Sequence, residues 1–330
     1  MRKKIIGCFV FLAVFLLFGE VGAVSISPPV IEIDVNPGDQ IERTIKVNNE
    51  TEKERTYIVG VKKFEMIGEE GYQKFIPIEE NNDDFGLTSW IKYNETKIVV
   101  SPKSSKEFKF TIDIPLSADP GGHYASVYFS TGAENVDNDA SSAVGVQAQI
   151  NSLILFRVSG DVVEKAEIES FDLENGKILL YHLPVNFVFR VKNEGNVHIM
   201  PIGNIEIKNM FGKKVEVLNA NPKNNRVLPE SIRKIESQWG SDEKNMLEGG
   251  FIQELKNEYS NFAFGKYSAR LDAVYGNGNQ NLLSGMIIFW IIPWRLILVF
   301  VIIFVFLLFG IVILIKKYNK WVVKKHLHSV

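Results

Sequence analysis

The stretch SADPGGHYASVYFS, residues 117–130, combines a turn with a strand and decides the predicted fold. Pro120 starts the turn, and Gly121 and Gly122 permit positive φ angles that other residues reach only at a cost. From Tyr124 onward, small, β-branched and aromatic residues favour a strand. A tyrosine just past a tight turn is typical of the tyrosine corner of β-sandwiches, in which its hydroxyl bonds to the backbone of the connection. The stretch therefore predicts a structural turn that opens a sandwich strand.

Short segments of the same kind recur between the two apolar ends of the chain. They are rich in β-branched and aromatic residues, and clusters of Pro, Gly, Asn and Asp separate them. The segments are residues 41–47, 56–61, 107–114, 124–129, 187–191, 205–207 and 269–275. No helical period persists between the ends. The pattern predicts an all-β fold of sandwich type.

Three short motifs occur in the same order in both halves of the chain. The pairs are VNNE and VKNE at residues 47–50 and 191–194, VSPKS and VLPES at residues 100–104 and 227–231, and GHY and GKY at residues 122–124 and 265–267. Repeated order indicates repeated structure. We therefore predict two tandem immunoglobulin-like β-sandwich domains, residues 24–158 and 159–293.

The second Gly-x-Tyr motif separates the turn from the histidine beside it. Gly265 and Tyr267 are expected to repeat the turn of the first half, with Lys266 at the position of His123. A histidine that the turn does not require is available for another role. His123 is therefore predicted to be an exposed residue that contacts a partner.

The first 23 residues have the pattern of a secretory signal peptide. Three basic residues precede an apolar run, residues 5–18, and the small residues 21–23 suit cleavage. A retained N-terminal anchor is the alternative, although the run is short for a membrane span. Cys8, the only cysteine, lies in this segment. We therefore expect neither disulfides nor thiol chemistry in the mature chain.

Residues 296–315 form an apolar run of 20 residues without a charge. About 20 helical residues cross a bilayer. Trp294 and Arg295 stand at its start, and five lysines follow it in residues 316–330. By the positive-inside rule, this basic tail is cytoplasmic and the sandwich domains are extracytoplasmic. The chain is predicted to be a single-pass type I membrane protein, with a transmembrane helix at residues 294–315 and membrane lipid around residues 296–315.

The charge of the chain argues against binding to polyanions. The formal net charge is −2, and basic residues are concentrated at both ends, so the region between them is acidic. An acidic surface repels nucleic acid and other anionic polymers. No nucleic-acid partner is predicted.

The sequence contains no recognisable catalytic set. None of the five histidines has the spacing of a zinc motif, and no nucleophile elbow, phosphate-binding loop or dinucleotide fingerprint is present. The acidic clusters at residues 79–84 and 137–139 suggest calcium binding, but neither fits the EF-hand pattern, and solvated loops are the alternative. The chain is predicted to be no enzyme and to have no catalytic residue, metal or cofactor.

Val144, Val146, Ala148 and Ile150 alternate along a predicted edge strand. A free strand edge can accept an extended segment from a partner, with alternate side chains entering pockets. In the alternative, the same four residues face the core of their own domain. The strand-addition hypothesis fails if the segment is paired on both sides within the domain.

Several short motifs of the first domain occur together in known families. They are Ser27-Pro28-Pro29, Pro37-Gly38, Val47-Asn48-Asn49, Trp90, Ser101-Pro102, Ile114-Pro115, Pro120-Gly121-Gly122-His123-Tyr124 and a closing strand at residues 144–158. With these motifs the domain resembles the N-terminal immunoglobulin-like domain of periplasmic pilus chaperones. It is still more similar to the membrane-anchored WxL-interacting proteins of Gram-positive cell surfaces, whose layout of signal, two sandwiches, one span and basic tail the chain shares.

This resemblance implies a non-enzymatic bacterial cell-surface scaffold or adhesion protein that binds peptidoglycan or a surface or secreted protein. The alternative is a membrane-tethered chaperone or assembly factor for exported subunits. Pilus chaperones hold a subunit carboxylate with a cleft arginine and lysine. The first strand here, SISPPVIEI at residues 25–33, has no basic residue, and Gln147 and Gln149 stand in the closing strand.

Overall fold

A computed structural model describes residues 24–76, 86–131, 148–240, 250–279 and 281–327. The predicted signal peptide, both acidic clusters, Val144 and Val146 lie outside the described residues. The chain divides into two compact units. The first contains the described residues up to Ile67, Gly71–Glu164 and Gly195–His198, and the second contains Gly68–Glu70, Lys165–Glu194 and the residues from Ile199 on. The sequence did not predict the two short segments that group with the other half of the chain.

The first unit is an all-β sandwich with immunoglobulin-like sheets. Its strands are β1 (Val24–Ser27), β2 (Val30–Val35), β3 (Gln40–Asn49), β4 (Arg55–Lys62), β5 (Phe64–Ile67), β6 (Tyr72–Phe75), β7 (Ile91–Lys92), β8 (Lys97–Val100), β9 (Ser104–Asp113), β10 (Gly121–Thr131) and β11 (Gln149–Val158). One sheet has the order β1-β3-β9-β7 and the other β2-β11-β10-β4-β8, while β5 and β6 form a separate hairpin. A single helical turn, α1 (Leu87–Trp90), precedes β7.

Alternating side chains build the core of the first unit. Phe108, Phe110 and Ile112 on β9 are buried, and so are Val127 and Phe129 on β10. Every second residue of a strand points to the same face, so each sheet turns one apolar face to the other. Full burial of such a side chain is worth about 1.5–3 kcal/mol. The period-2 pattern thus places the sheets face to face.

The second unit is a sandwich of similar size. Its strands are β12 (Ala166–Leu173), β13 (Leu179–Leu180), β14 (Val185–Asn193), β15 (Ile202–Asn209), β16 (Lys214–Asn219), β17 (Ile232–Trp239), β18 (Gly265–Tyr275) and β19 (Asn281–Ile291). The sheets have the orders β12-β14-β17 and β13-β19-β18-β15-β16. Short 3₁₀ turns cover Glu174–Gly176 and Asn277–Asn279. The core gathers aromatic rings from three strands: Phe187 and Phe289 lie 5.8 Å apart between ring centroids, and Phe289 stacks on Tyr267 at the same distance.

Two helices complete the second unit. Helix α2 (Phe251–Ser260) stands between β17 and β18, where the sequence had indicated no helix. Helix α3 (Trp294–Leu327) contains the predicted transmembrane residues and continues beyond them. The part from Trp294 to Trp321 is long and apolar enough to cross a membrane. The fold is therefore all-β with one helix that could span a bilayer.

The first two repeated motifs form the same loop in both units. The side-chain amide of buried Asn49 donates to the carbonyl of Val100 at 3.0 Å. The amide of buried Asn193 donates to the carbonyl of Val227 at 2.9 Å. A buried amide needs such partners, so the asparagine fastens the end of one strand to a proline loop that follows several strands or loops later. Each unit therefore uses its asparagine as the same kind of bracket.

The proline loops beside these asparagines also match. Lys103 and Glu230, which follow the prolines, have φ angles of 49° and 56°. The hydroxyls of Ser104 and Ser231 donate to carbonyls three residues earlier, at 2.8 Å and 2.7 Å. Residues other than glycine are uncommon at positive φ. The shared conformation therefore shows that these repeated motifs correspond in structure.

Candidate functional site: the Gly-x-Tyr turns and the edge of strand β11

Glycine is required at the two positions of the first turn for different structural reasons. Gly121 opens β10 with a φ of 120°, as the sequence predicted. Gly122, contrary to the prediction, does not have a positive φ. A Cβ atom at Gly122 would overlap the hydroxyl of Tyr124 and lie 2.6 Å from the ring carbon that bears it. Gly122 is therefore needed for the close approach of the Tyr124 ring.

The tyrosines of the two Gly-x-Tyr motifs point to opposite faces of their sheets. Tyr267 lies on the core face of β18 with buried Ala269. Tyr124 lies on the other face of β10, because its neighbours Ala125 and Val127 occupy the core face. A shift of one residue along a strand reverses the direction of the side chain. The expectation that both tyrosines play the same part is therefore wrong.

Tyr124 binds a residue other than those of its own turn. Its hydroxyl accepts a hydrogen bond from the backbone N–H of His198 at 2.8 Å. In the side chain of His198, the ring nitrogen Nε2 lies 2.9 Å from Oε1 of Glu32. Burial raises the pKa of Tyr124 well above its usual range. The tyrosine-corner contact expected for Tyr124 is thus replaced by a contact with the segment Gly195–His198 of the same unit.

Tyr267 makes the local contact that Tyr124 lacks. Its hydroxyl lies 3.3 Å from both the backbone nitrogen and the carbonyl oxygen of Phe264. Its ring packs against Trp239 with 5.1 Å between centroids. Gly265, which opens β18, has a φ of 109°. In the second unit, the glycine and the tyrosine form a turn closed by the tyrosine hydroxyl.

His123 is engaged by its own turn. Its Nε2 atom lies 2.8 Å from the carbonyl oxygen of Asp119, and its ring centroid lies 4.7 Å from that of Trp90. Pro120 is exposed beside it. These contacts give the imidazole a structural role. Contact with a partner stays a prediction for His123.

Strand β11 changes from two-sided to one-sided pairing along its length. It pairs antiparallel with β10 over Gln149 to Val158. On its other side, β2 runs parallel to it over residues 153–158 only. Within the described ranges, no strand pairs with the β2 side of residues 149–152. We call these four residues the open edge; strand addition remains possible there and is excluded for the rest of β11.

The backbone of the open edge has a definite direction. The N–H of Leu153 donates to the carbonyl of Pro29 at 3.0 Å, so the backbone groups of Leu153 point away from β10. These directions alternate along a strand. The N–H and C=O groups of Gln149 and Asn151 therefore point outward as well. Two donors and two acceptors face the side that β2 does not cover.

Two consecutive prolines explain why β2 stops short of this edge. In a parallel ladder with Leu153 opposite Val30, the carbonyl of Asn151 would accept a hydrogen bond from residue 29. Pro29 has no N–H, and neither has Pro28. The hydroxyl of Ser152 instead donates to the carbonyl of Pro28 at 2.8 Å. The chain then leaves this sheet, and β1 pairs with β3 in the other one.

The structure describes two of the four residues predicted to contact a partner through this strand. Ile150 is half-buried and packs against the core of its own unit, as the alternative interpretation stated. Ala148 is exposed, and its carbonyl accepts a hydrogen bond from the N–H of Thr131 at 3.0 Å. Direct binding through the Ile150 side chain is therefore disfavoured. The outward backbone of Gln149 and Asn151, which the sequence analysis did not identify, takes its place.

Other surfaces of the described residues carry few groups that are suited to metal binding or catalysis. In the part of the chain that the structure describes, no group of three or more His, Cys, Asp or Glu residues could hold a metal ion. One shallow groove of about 370 Å³ is lined by residues that include Glu174, Lys223 and Glu236. Another, of about 530 Å³, is lined mainly by charged residues that include Lys92 and Glu107. The expectation that the chain is not an enzyme stays a prediction.

Comparisons with known proteins find related shapes only. No protein-family model matches the chain, and no curated protein matches its sequence. The resemblance to the WxL-interacting family therefore stays a prediction.

Among solved structures, the chain is similar to several fimbrial chaperones. The class 5 fimbriae chaperone CfaA is 14% identical, with 80% of this chain and 98% of that chain covered and a TM-score of 0.37. The E. coli chaperone DraB is 8% identical, with coverages of 80% and 96% and a TM-score of 0.37. The Pseudomonas aeruginosa CupB2 chaperone is 10% identical, with coverages of 81% and 100% and a TM-score of 0.34. Scores this low carry no argument about function.

Proposed function

We propose that this chain is a membrane-tethered assembly factor that receives an extended segment of another exported chain at the open edge of β11. The observation that carries the proposal is the one-sided pairing of residues 149–152, next to a part of β11 that is paired on both sides. An open edge of this kind accepts a strand through main-chain hydrogen bonds. The proposed activity is binding, in which no covalent bond is made or broken.

The backbone groups of the open edge favour a polypeptide as the partner. Gln149 and Asn151 together offer two N–H and two C=O groups at the spacing of a strand. An added segment of about four residues can satisfy them, since a strand rises about 3.3 Å per residue. In peptidoglycan the acetamido groups are side substituents of the sugars, so the glycan strand presents no main-chain ladder of N–H and C=O groups at strand spacing. The open edge therefore favours the assembly-factor alternative over the peptidoglycan-binding scaffold, and peptidoglycan binding stays a prediction without a described site.

The proposal puts this edge outside the cytoplasm. Arg295 stands before the uncharged run of α3, and Lys316, Lys317 and Lys320 follow it. Because positive residues concentrate on the cytoplasmic side, this charge distribution supports an orientation with the end of α3 in the cytoplasm and the sandwich units outside. Exported chains emerge on that side, still unfolded. The proposed partner is such a chain before it folds.

Amide hydrogen exchange on the full chain in detergent tests the proposal. The probe is a ten-residue peptide of alternating valine and threonine, and the control is the same peptide N-methylated at every residue. The amides of residues 149 and 151 are expected to exchange fast in the free protein, and the unmodified peptide is expected to slow them. The amides of residues 150 and 152 point to β10, so they should be slow throughout.

The N-methylated peptide keeps the side chains but lacks every main-chain donor, so it should not protect residues 149 and 151. Equal protection by both peptides would exclude strand addition. Slow exchange at both residues without any peptide would show that the edge is already occupied. Either result would overturn the proposal.

A further inference from the structure

The second unit exposes a cluster of large apolar side chains on and just after α2. Ile252 and Tyr259 on the helix are 71% and 77% exposed, and Phe262 and Phe264 after it are 62% and 51% exposed. Single apolar residues on a surface are ordinary, but four large ones within thirteen residues of sequence point to an interaction site. We call these four residues, two on the helix and two after it, the apolar face of α2.

The opposite side of α2 is fixed to the start of α3 by a buried carboxylate. Oε1 of fully buried Glu258 accepts a hydrogen bond from Nη1 of Arg295 at 3.0 Å. Its Oε2 accepts from the backbone N–H of Leu296 at 2.9 Å. The first N–H groups of a helix have no partner within it, and a negative charge there is favourable. Glu258 thus serves as a cap for α3, supplied by another helix.

Aromatic contacts reinforce this junction. The rings of Phe251 and Trp294 lie 6.2 Å apart in an edge-on arrangement. The guanidinium of Arg295 lies 4.7 Å from the Trp294 ring centroid, and 3.6 Å separates it from a carboxylate oxygen of Glu254. Phe251, Glu254 and Glu258 are spaced by three and four residues, so they share one side of the helix. Ile252 and Tyr259 lie seven apart on another side, which is free of these contacts.

The junction also fixes the depth of α2. Arg295 is the last charged residue before the uncharged residues 296–315, so the hydrocarbon layer begins beside it. Since Glu258 contacts both Arg295 and Leu296, α2 lies level with this boundary. Aromatic residues are enriched at that level of a bilayer. A short helix with one apolar side is suited to lie in the plane of the interface.

We propose that the apolar face of α2 lies in the headgroup region of the same bilayer that α3 crosses. The inference rests on the membrane tether of the proposed function. Exposed Lys256, between Ile252 and Tyr259 on the helix, can direct its ammonium group to the lipid phosphates while its methylenes contact apolar chains. The partner is lipid, and the second unit is then held against the membrane surface by two contacts.

Site-specific fluorescence on the full chain tests this surface. Cys8→Ser provides a background without thiols, and single cysteines are introduced as Ile252→Cys, Tyr259→Cys, Leu282→Cys or Leu307→Cys. Each is labelled with an environment-sensitive dye after reconstitution into phosphatidylcholine and phosphatidylglycerol vesicles. Leu282 is 65% exposed and lies at the start of β19, the end of that strand farthest from α3. Lipids that carry a nitroxide quencher at shallow or deep positions report the depth of each dye.

Shallow quenching at residues 252 and 259, with deep quenching at residue 307 and none at residue 282, is the expected result. Deep quenching at residue 307 without quenching at residues 252 and 259 would overturn the lipid contact and leave the tether intact. Absence of quenching at residue 307 would overturn the tether, and with it both the proposed function and this inference. Equal quenching at residues 282 and 252 would also overturn the inference, because the contact would then be unspecific.

Discussion

The two sandwich units agree at one repeated motif and differ at another. Asn49 and Asn193 make the same bracket, with equal hydrogen bonds to the carbonyls of Val100 and Val227. Tyr124 and Tyr267 follow equal Gly-x-Tyr sequences, yet one faces away from its core and the other lies within it.

The two motifs differ because the asparagine depends on specific hydrogen bonds, whereas the direction of the tyrosine depends on the strand register. The asparagine bracket is defined by hydrogen bonds between the end of a strand and a proline loop later in the chain, so any unit that keeps both keeps the bracket. The direction of a tyrosine depends on its position along the strand, and a displacement of one residue inverts it. The first unit has two glycines before the tyrosine turn and the second has one. A motif of three residues therefore does not establish an equivalent structure.

Substitution of either bracket asparagine should give the largest loss of stability. Asn49→Ala and Asn193→Ala each leave a buried carbonyl without its donor, which should lower the free energy of unfolding of the affected unit by about 2–4 kcal/mol. Hydrogen exchange of β3 and β14 in the detergent-solubilised chain measures each unit separately.

Asn48→Ala is the matched control for the bracket. Asn48 is half-buried, and its side-chain amide makes a 3.2 Å bond to the hydroxyl of Ser25. Its loss should cost less than about 1 kcal/mol. A cost of Asn193→Ala as small as that of Asn48→Ala would show that the bracket in the second unit does not stabilise it.

The glycines of the two turns should respond differently to a second substitution. Gly122→Ala is destabilising because the new Cβ overlaps the Tyr124 ring, so Gly122→Ala with Tyr124→Ala should cost no more than Tyr124→Ala alone. Gly265→Ala should cost about 1–3 kcal/mol through its positive φ. The methyl group of Met210 also overlaps that position, but Met210→Ala should not remove the backbone strain.

Thermal unfolding of the four single variants and the two double variants measures these costs. Full relief of Gly265→Ala by Met210→Ala would indicate that crowding, and not the backbone angle, requires the glycine. Additive costs for Gly122→Ala and Tyr124→Ala would contradict the overlap between them.

Substitution of the acidic residues that follow the two asparagines should have the smallest effect on stability. Glu194 accepts hydrogen bonds from Lys165 and Lys192, which lower its pKa from 4.5 to about 2. Glu50, at the matching position, is exposed and makes no ion pair with a described residue. A lowered pKa adds stability above pH 4.5, and this stability disappears as the pH falls towards 2.

Glu194→Gln should therefore lower the Tm slightly near neutral pH, with a difference that vanishes near pH 2 and shrinks in high salt. Glu50→Gln should leave the Tm unchanged at every pH. Scanning calorimetry from pH 2 to 7 makes the comparison. A constant difference for Glu194→Gln across this range would exclude the carboxylate charge as its cause.

The sequence predicted the fold well because the dominant signal is local. Alternating strands, turn residues and the apolar run at residues 296–315 each depend on near neighbours in the chain. Helix α2 was missed for the opposite reason. Its ten residues carry a weak apolar period, and its stability comes from contacts of Glu258 and Phe251 with the start of α3. Such contacts between distant segments cannot be inferred from a local pattern.

The site was predicted only in outline. The sequence named the strand that carries the proposed site, but it assigned partner binding to the side chains of Val144, Val146, Ala148 and Ile150, whereas the proposal assigns it to the backbone of Gln149 and Asn151. The clue was present in the sequence as Pro28 and Pro29, two residues that cannot donate to a neighbouring strand. Their effect on β11 could not be read without the pairing, because more than a hundred residues separate the partners.

Because of the proline pair, the open edge of β11 is controlled by residues that are encoded far from it in the gene. Whether Asn151 meets a neighbour depends on the residue at position 29, so selection can adjust this binding surface by changes far from it in the gene. A single nucleotide substitution converts a proline codon into one for serine, threonine, alanine or leucine. Each of these residues restores an amide hydrogen. Descendants of this chain could therefore pair the Asn151 carbonyl with β2, and shorten the proposed binding edge, in one mutational step.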